Sequence, residues 1–114
     1  MKIYGIKSCD GCRKARRFLD EIERDHQWTD LREDGVDEAT IQRWLDVLGA
    51  ETLVNRRSTT WRGLDEQQRE QAMAKTSAAN LLAAHPTLIK RPVFEIDGEL
   101  SVGFTPAIQD RLRG

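Results

Sequence analysis

The amino-acid sequence predicts an α/β protein in which a helical insertion interrupts a central mixed sheet. Two observations lead to this prediction. The first third of the 114 residues alternates strand, helix and strand, and the last third holds two short strand-like runs followed by a helix. The intervening residues, about 37–84, read as helices joined by loops. Because the composition does not change along the chain, we expect one domain that spans residues 1–114.

The first third has the pattern of a β-α-β unit. Residues 3–6 form a short apolar run and residues 27–31 form a short alternating run, so we expect two parallel strands. A helix is expected between them, from about Asp10 to Arg24. Its core-facing residues recur at helical spacing. They are Cys12, Ala15, Leu19 and Ile22.

The helical insertion contains residues that typically begin and end helices. Asp37 is suited to the N-cap of a helix, and Gly49 is suited to its end. Asp65 and Gln68 have the spacing of a capping box. Pro86 is expected to end the last helix of the insertion, because the residue before a proline disfavours helical backbone.

The last third predicts a hairpin and a final helix. Strand-like runs at 93–96 and 100–102 flank an Asp-Gly pair at 97–98, which favours a type I′ turn. A Thr-Pro pair at 105–106 supplies the N-cap and first residue of a helix that reaches about Leu112. The complete order of elements matches the thioredoxin plan.

Composition excludes several classes of function. The formal net charge of −1 argues against a broad nucleic-acid-binding surface. No apolar stretch approaches the roughly 18 residues that a membrane-spanning helix needs. The N-terminus shows no signal-peptide pattern. We therefore expect a cytoplasmic monomer that binds neither a membrane nor, directly, nucleic acid.

Two cysteines, Cys9 and Cys12, have C-x-x-C spacing at the junction between the first strand and the first helix. This arrangement is typical of redox chemistry. Unpaired N–H groups at the helix N-terminus favour a thiolate, so we expect Cys9 to be a reactive nucleophile. Cys12 has two interpretations, a resolving thiol or a core residue of the apolar face. The only histidines, His26 and His85, do not extend the pair to a zinc-site spacing, so we expect no metal.

Basic residues supply candidate anion-binding groups. Arg57 lies in a polar, turn-like stretch, and Arg91 directly precedes Pro92. The proline holds Arg91 in an extended conformation and allows a cis peptide bond. Guanidinium groups suit carboxylates and oxyanions. The basic residues at 13–17 of the first helix are either a solvated face or a positive field at Cys9.

Three separated motifs cover essentially the whole chain. They are Tyr4-Gly5-Ile6-Lys7-Ser8-Cys9-Asp10 with Lys14-Ala15-Arg16-Arg17, Leu53-Val54-Asn55-Arg56-Arg57 with Thr59-Thr60-Trp61-Arg62, and His85-Pro86 with Ile89-Lys90-Arg91-Pro92-Val93. In this order they resemble the arsenate reductase (ArsC)/Spx family, and in particular its YffB-type branch. The resemblance implies a thioredoxin-like fold with a helical insertion, which agrees with the prediction from the elements.

The resemblance also implies roles for individual residues. Cys9 corresponds to the nucleophilic cysteine of the family. Arg57 and Arg91 correspond to two arginines that bind the oxyanion in arsenate reductases, and Pro92 corresponds to the proline that is cis in thioredoxin-like folds. The chain departs from arsenate reductases where their third arginine is expected, since residues 102–104 are Val-Gly-Phe. It also lacks their histidine-containing segment before the nucleophile.

These correspondences imply a glutathione-dependent thiol–disulfide oxidoreductase that uses Cys9 as nucleophile, with glutathione as co-substrate. Two alternatives stay open. One is a glutaredoxin-linked arsenate reductase, against which the two departures argue. The other is a redox regulator without enzymatic activity that binds RNA polymerase, because the Cys9–Cys12 pair resembles the redox switch of Spx regulators.

Overall fold

The structure, a computed structural model, describes residues 1–114 and contains one four-stranded sheet. The strands are β1 (Lys2–Gly5), β2 (Gln27–Asp30), β3 (Val93–Ile96) and β4 (Glu99–Val102). The α-helices are α1 (Asp10–Glu21), α2 (Glu38–Leu48), α3 (Ala50–Leu53), α4 (Thr59–Arg62), α5 (Glu66–Met73), α6 (Ala78–Ala84) and α7 (Pro106–Arg113). A 3-10 helix spans Pro86–Leu88. The predicted order of elements is confirmed.

Two compact units divide the chain. The sheet unit consists of Met1–Asp34 and Arg91–Gly114, and the helical unit consists of Gly35–Lys90. The helical unit includes the predicted insertion at about residues 37–84. No helix in either unit is long and apolar enough to cross a membrane.

The sheet unit has the strand order β2-β1-β3-β4. β1 pairs in parallel with β2, and α1 forms the crossover between them. The β1–β3 and β3–β4 pairs are antiparallel, so the sheet is mixed, as predicted. Apolar side chains of β1, β3, α1 and α7 form the core of this unit. They are Ile3, Ala15, Leu19, Phe94, Ile96, Ile108 and Leu112.

The turn predicted between β3 and β4 is confirmed. Asp97 and Gly98 have φ values of 50° and 82°, and a type I′ turn requires positive φ at both central residues. The N-cap predicted for α7 is also present, because the Thr105 hydroxyl accepts a hydrogen bond from the Ile108 N–H at 3.2 Å. This helix reaches Arg113, one residue beyond the prediction.

The predicted end of α1 is wrong. The helix ends at Glu21 and not at Arg24, because Glu23 adopts a left-handed conformation with φ of 56°. The Glu23 N–H donates to the Asp20 carbonyl at 3.1 Å, and the Arg24 N–H donates to the Leu19 carbonyl at 2.9 Å. These two bonds form a Schellman motif. This motif has no signal in the sequence because glutamate, and not glycine, occupies the left-handed position.

The helical unit begins with α2, whose predicted cap and end are both confirmed. The Asp37 carboxylate accepts a hydrogen bond from the Thr40 N–H at 2.8 Å, and Gly49 ends the helix with φ of 80°. Asp65 and Gln68 form the predicted capping box of α5. Helices α2 and α5 both pack against α6. The buried residues of α2 are Ile41, Trp44 and Leu45.

Candidate thiol site

The thiol loop, residues 6–9, connects β1 to α1 and carries Cys9 at the N-cap of the helix. The Cys9 N–H donates to the Ile6 carbonyl at 2.9 Å, and the Cys9 carbonyl accepts from the Arg13 N–H at 2.9 Å. The Arg13 guanidinium donates to the Ser8 carbonyl at 3.1 Å. Hydrogen bonds on both sides of Cys9 therefore fix its main chain at the N-terminus of α1.

The surroundings of Cys9 stabilise its thiolate. The side chain is half-buried, and this burial opposes ionisation. Hydrogen bonds from the Cys12 N–H, the Arg91 guanidinium and the Cys12 thiol, together with the charge of Arg91, outweigh the burial and lower the pKa of Cys9 below its ordinary value. Cys9 is therefore the thiol from which a nucleophile forms most readily.

The surroundings of Cys12 have the opposite effect, because they favour the neutral thiol over the thiolate. Its side chain is fully buried on the core-facing side of α1. Burial, together with the negative charge of the Cys9 thiolate, raises the pKa of Cys12 to about 12. Gly5 makes room for the Cys12 sulfur, since a Cβ on Gly5 would overlap it and would approach Trp28 Cη2 to 3.0 Å. Cys12 is thus a protonated thiol at neutral pH.

Arg91 and Pro92, which directly precede β3, also lie near Cys9. The peptide bond between them is cis. A Cβ placed on Gly11 would lie 4.0 Å from both Cys9 Sγ and Pro92 Cδ, and 3.9 Å from the Arg91 carbonyl oxygen. The structure therefore brings Cys9, Arg91 and Pro92 together within the sheet unit.

Arg57 belongs to the helical unit and is exposed. It lies in the turn between α3 and α4, where its N–H donates to the Asn55 side chain at 3.1 Å. The Ser58 hydroxyl donates to the Asn55 carbonyl at 2.8 Å and accepts from the Trp61 N–H at 3.1 Å. The turn that carries Arg57 is therefore held by its own side chains.

A pocket of about 400 Å³ surrounds Arg57, and we call it the basic pocket. It is lined by Val54, Asn55, Arg56, Arg57 and Lys90. Lys90 reaches this turn because its N–H donates to the Leu53 carbonyl at 2.8 Å, beside an antiparallel bridge between Val54 and Ile89. No ion pair involves Arg56, Arg57 or Lys90. Their positive charge is available to an anion.

Other sequence candidates contribute less to this site. Arg16 of α1 stacks over the Trp28 ring at 4.4 Å, and Arg13 pairs with Asp10 at 3.0 Å. These contacts use part of the basic face in packing and in a surface ion pair. His85 is exposed, and a ring nitrogen of His26 bonds the Arg24 carbonyl at 3.0 Å. No group of three or more His, Cys, Asp or Glu side chains is arranged to hold a metal ion.

Comparison with known proteins decides the family. Residues 4–110 match the model of the ArsC family. This chain belongs to the ArsC family. The solved structure of the YffB (PA3664) protein superimposes with a TM-score of 0.91 at 38% sequence identity, and the match covers 99% of this chain and 98% of that one. The family resemblance and the thioredoxin-like α/β fold predicted from the sequence are both confirmed.

Two further relatives of this chain differ in how far they match. An uncharacterized protein of Haemophilus influenzae is 44% identical over 102 residues, covering 90% of this chain and 89% of that protein. The global transcriptional regulator Spx 2 of Bacillus anthracis is 28% identical over 104 residues, covering 90% of this chain and 78% of the regulator. This chain is thus similar both to a YffB protein and to an Spx regulator.

Sequence reasoning missed some residues around these sites. It did not single out Arg56 or Lys90, although both occur within the motifs that carry the ArsC resemblance. It also missed Asp30, the one charged side chain among the buried residues. Asp30 ends β2, the strand parallel to β1, and an aspartate at that strand end was the available signal.

Proposed function

We propose that this ArsC-family protein is a glutathione-dependent thiol–disulfide oxidoreductase with Cys9 as the nucleophile. One observation carries the proposal. Cys9 lies at the N-terminus of α1, and the Cys12 N–H and the Arg91 guanidinium both stabilise its thiolate. A thiolate held in this way attacks disulfide sulfur at neutral pH.

The reaction begins with a mixed disulfide of a substrate thiol and glutathione. The Cys9 thiolate attacks the glutathione sulfur, a disulfide forms between Cys9 and glutathione, and the substrate leaves as a thiolate that takes up a proton. A second glutathione thiolate then attacks the glutathione sulfur of this adduct. Oxidised glutathione leaves and the Cys9 thiolate is restored, so one glutathione is oxidised for each substrate thiol released.

Cys12 offers a second route for the last step. Its thiolate would attack Cys9 Sγ, release glutathione and leave a Cys9–Cys12 disulfide, which two further glutathione molecules would reduce. The burial of Cys12 and its pKa of about 12 make this thiolate scarce at neutral pH, which favours glutathione as the resolving thiol. Replacing Cys12 by Ser is therefore expected to leave part of the turnover.

Two arginines are proposed to bind the carboxylates of glutathione. For Arg91, the support is its hydrogen bond to Cys9. For Arg57, the support is the uncompensated charge of the basic pocket. Guanidinium groups bind carboxylates through paired N–H donors, and glutathione carries two carboxylates. Glutathione as co-substrate also agrees with a cytoplasmic protein, which cell fractionation would test.

The experiment that tests the proposal couples the protein to glutathione and glutathione reductase and follows NADPH consumption with a small mixed-disulfide substrate. Cys9→Ser should reduce turnover to the uncatalysed background, because serine is not a nucleophile at neutral pH. Cys12→Ser is the matched control, since it makes the same substitution three residues away. Undiminished turnover in the Cys9→Ser protein would rule the mechanism out.

The similarity to Spx 2 supports a second candidate, a redox regulator that binds RNA polymerase. In this case oxidation of Cys9 and Cys12 to a disulfide would be the signal. Each thiol shifts the pKa of the other, and this mutual influence supports such a switch. The deciding measurement is capture of purified RNA polymerase by the oxidised and reduced protein. Capture that depends on the oxidation state, without glutathione-linked turnover, would favour the regulator.

Arsenate reduction is the third candidate, and it comes from the family itself. Residues 102–104 are Val-Gly-Phe where the third arginine of arsenate reductases was expected. We therefore expect no saturable arsenate turnover at low arsenate concentration. Such turnover, measured with glutathione and glutaredoxin present, would reverse this ranking.

A further inference from the structure

The thiol loop is held by a carboxylate from the neighbouring strand. Asp30 is the last residue of β2 and pairs in register with Gly5, the last residue of β1. Its side chain is only 3% exposed, and it is the one charged residue in the buried set. A buried carboxylate is costly unless hydrogen bonds satisfy its oxygens, so its partners show what it does.

The two oxygens of Asp30 serve different segments. Oδ1 accepts from the N–H groups of Arg32 and Glu33, at 2.8 and 2.9 Å, and so caps the turn that follows β2. Oδ2 accepts from the N–H of Lys7, at 2.9 Å, and so reaches across to the thiol loop. These N–H groups lower the pKa of Asp30 in spite of its burial, which keeps the carboxylate ionised.

We infer that Asp30 is a positioning residue for Cys9. Its carboxylate fixes the Lys7 N–H inside the turn that the Cys9 N–H closes on the Ile6 carbonyl. The orientation of that turn sets where Cys9 Sγ meets the Cys12 N–H and the Arg91 guanidinium. The inference rests on the proposed role of Cys9 as nucleophile, but it concerns the ionisation of the thiol and not the identity of its substrate.

Asp30 could act on Cys9 through its charge or through its position, and the two possibilities predict opposite shifts in the pKa of the Cys9 thiol. If Asp30 acted only through its negative charge, removing that charge would lower the pKa of the thiol. If Asp30 acts by position, loosening the loop weakens the donors to the thiolate and raises the pKa. Asp30→Asn removes the charge and replaces one acceptor by an NH₂ group that faces a donor. Asp30→Glu keeps the charge and displaces the oxygens by one methylene.

The test follows the rate of Cys9 alkylation by iodoacetamide against pH, with the site confirmed by peptide mass spectrometry. Both Asp30→Asn and Asp30→Glu should move the midpoint to higher pH and slow alkylation at pH 7 by roughly three- to tenfold. Asp34→Ala is the matched control. The Asp34 carboxylate accepts a hydrogen bond from the Asp30 N–H at 2.8 Å but is not bonded to the thiol loop. The midpoint of Cys9 alkylation in Asp34→Ala should therefore stay unchanged.

A lower or unchanged midpoint in Asp30→Asn would overturn the inference, as would an equal shift in Asp34→Ala. If the Asp30 variants do not fold, hydrogen exchange of the Lys7 amide in the unaltered protein decides. Protection of that amide is expected, and exchange at the rate of an exposed amide would overturn the inference. Alkylation needs no glutathione, so this test stands even if the turnover assay rules out the proposed reductase.

Discussion

The thiol loop and the basic pocket both present positive charge, but they are built in opposite ways. Around the thiol loop two cations pair with carboxylates, Lys7 with Glu33 and Arg13 with Asp10, and a third, Arg91, acts on the Cys9 thiol itself. In the basic pocket, Arg56, Arg57 and Lys90 have no such partners. The first arrangement controls the ionisation of one thiol through hydrogen bonds of fixed geometry. The second keeps charge available for a ligand.

After Cys9 itself, the largest effect is expected at Arg91, the cation that acts directly on the thiol. Arg91→Ala removes a hydrogen bond to the Cys9 thiolate, and such a bond to a charged group contributes about 1.5–3 kcal/mol. We expect turnover to fall roughly 10- to 100-fold and the midpoint of Cys9 alkylation to move to higher pH. Arg91→Lys should retain part of the rate, because it keeps the charge and loses the planar fork.

Two measurements on Arg91→Ala show whether Arg91 acts through the thiolate. Turnover kinetics and the pH dependence of alkylation must change together, because both depend on the Cys9 thiolate. A loss of turnover with an unshifted alkylation midpoint would mean that Arg91 binds substrate and does not tune the thiol.

A smaller effect, on the stability of the fold, is expected at Gly5, the last residue of β1. A methyl group there overlaps the Cys12 sulfur and crowds Trp28, so Gly5→Ala should lower the free energy of unfolding by about 1–3 kcal/mol. Gly63→Ala is the matched control. Its Cβ would meet nothing closer than 3.5 Å, and its φ of −81° suits alanine. Denaturant unfolding should show the control neutral or stabilised by up to about 1 kcal/mol. An equal loss of unfolding free energy in both variants would contradict a close contact between residue 5 and the Cys12 sulfur.

The sequence predicts most of this fold because its signals are local. The Asp-Gly pair at 97–98 needs only its own backbone to form the turn, and the caps at Asp37 and Thr105 bond N–H groups three residues away. The exception is also local, since α1 ends in a Schellman motif with Glu23 where glycine would have marked it. The parallel pairing of β1 with β2 was predictable because a β-α-β unit fixes it, whereas the place of β3 beside β1 was not predicted.

The contacts that surround the sites were harder to predict because they are not local. Asp30 bonds the backbone N–H of Lys7, and a backbone donor has no sequence signature. Lys90 reaches Arg56 and Arg57 only through the bridge between residues 54 and 89. The position of Cys9 at the start of α1 was predictable because the strand–helix junction is defined by neighbouring residues in the sequence.

The smallest effect is expected in the basic pocket, where exposed cations are screened by solvent. Lys90→Ala should raise the KM for glutathione roughly two- to fivefold and leave kcat unchanged, since an exposed ion pair contributes about 0.2–1 kcal/mol. Arg62→Ala is the matched control, because it removes one exposed cation of the same unit that does not line the pocket. Added salt should shrink the difference between Lys90→Ala and the unaltered protein. An equal rise in KM for both variants would mean that net charge, and not the basic pocket, attracts glutathione.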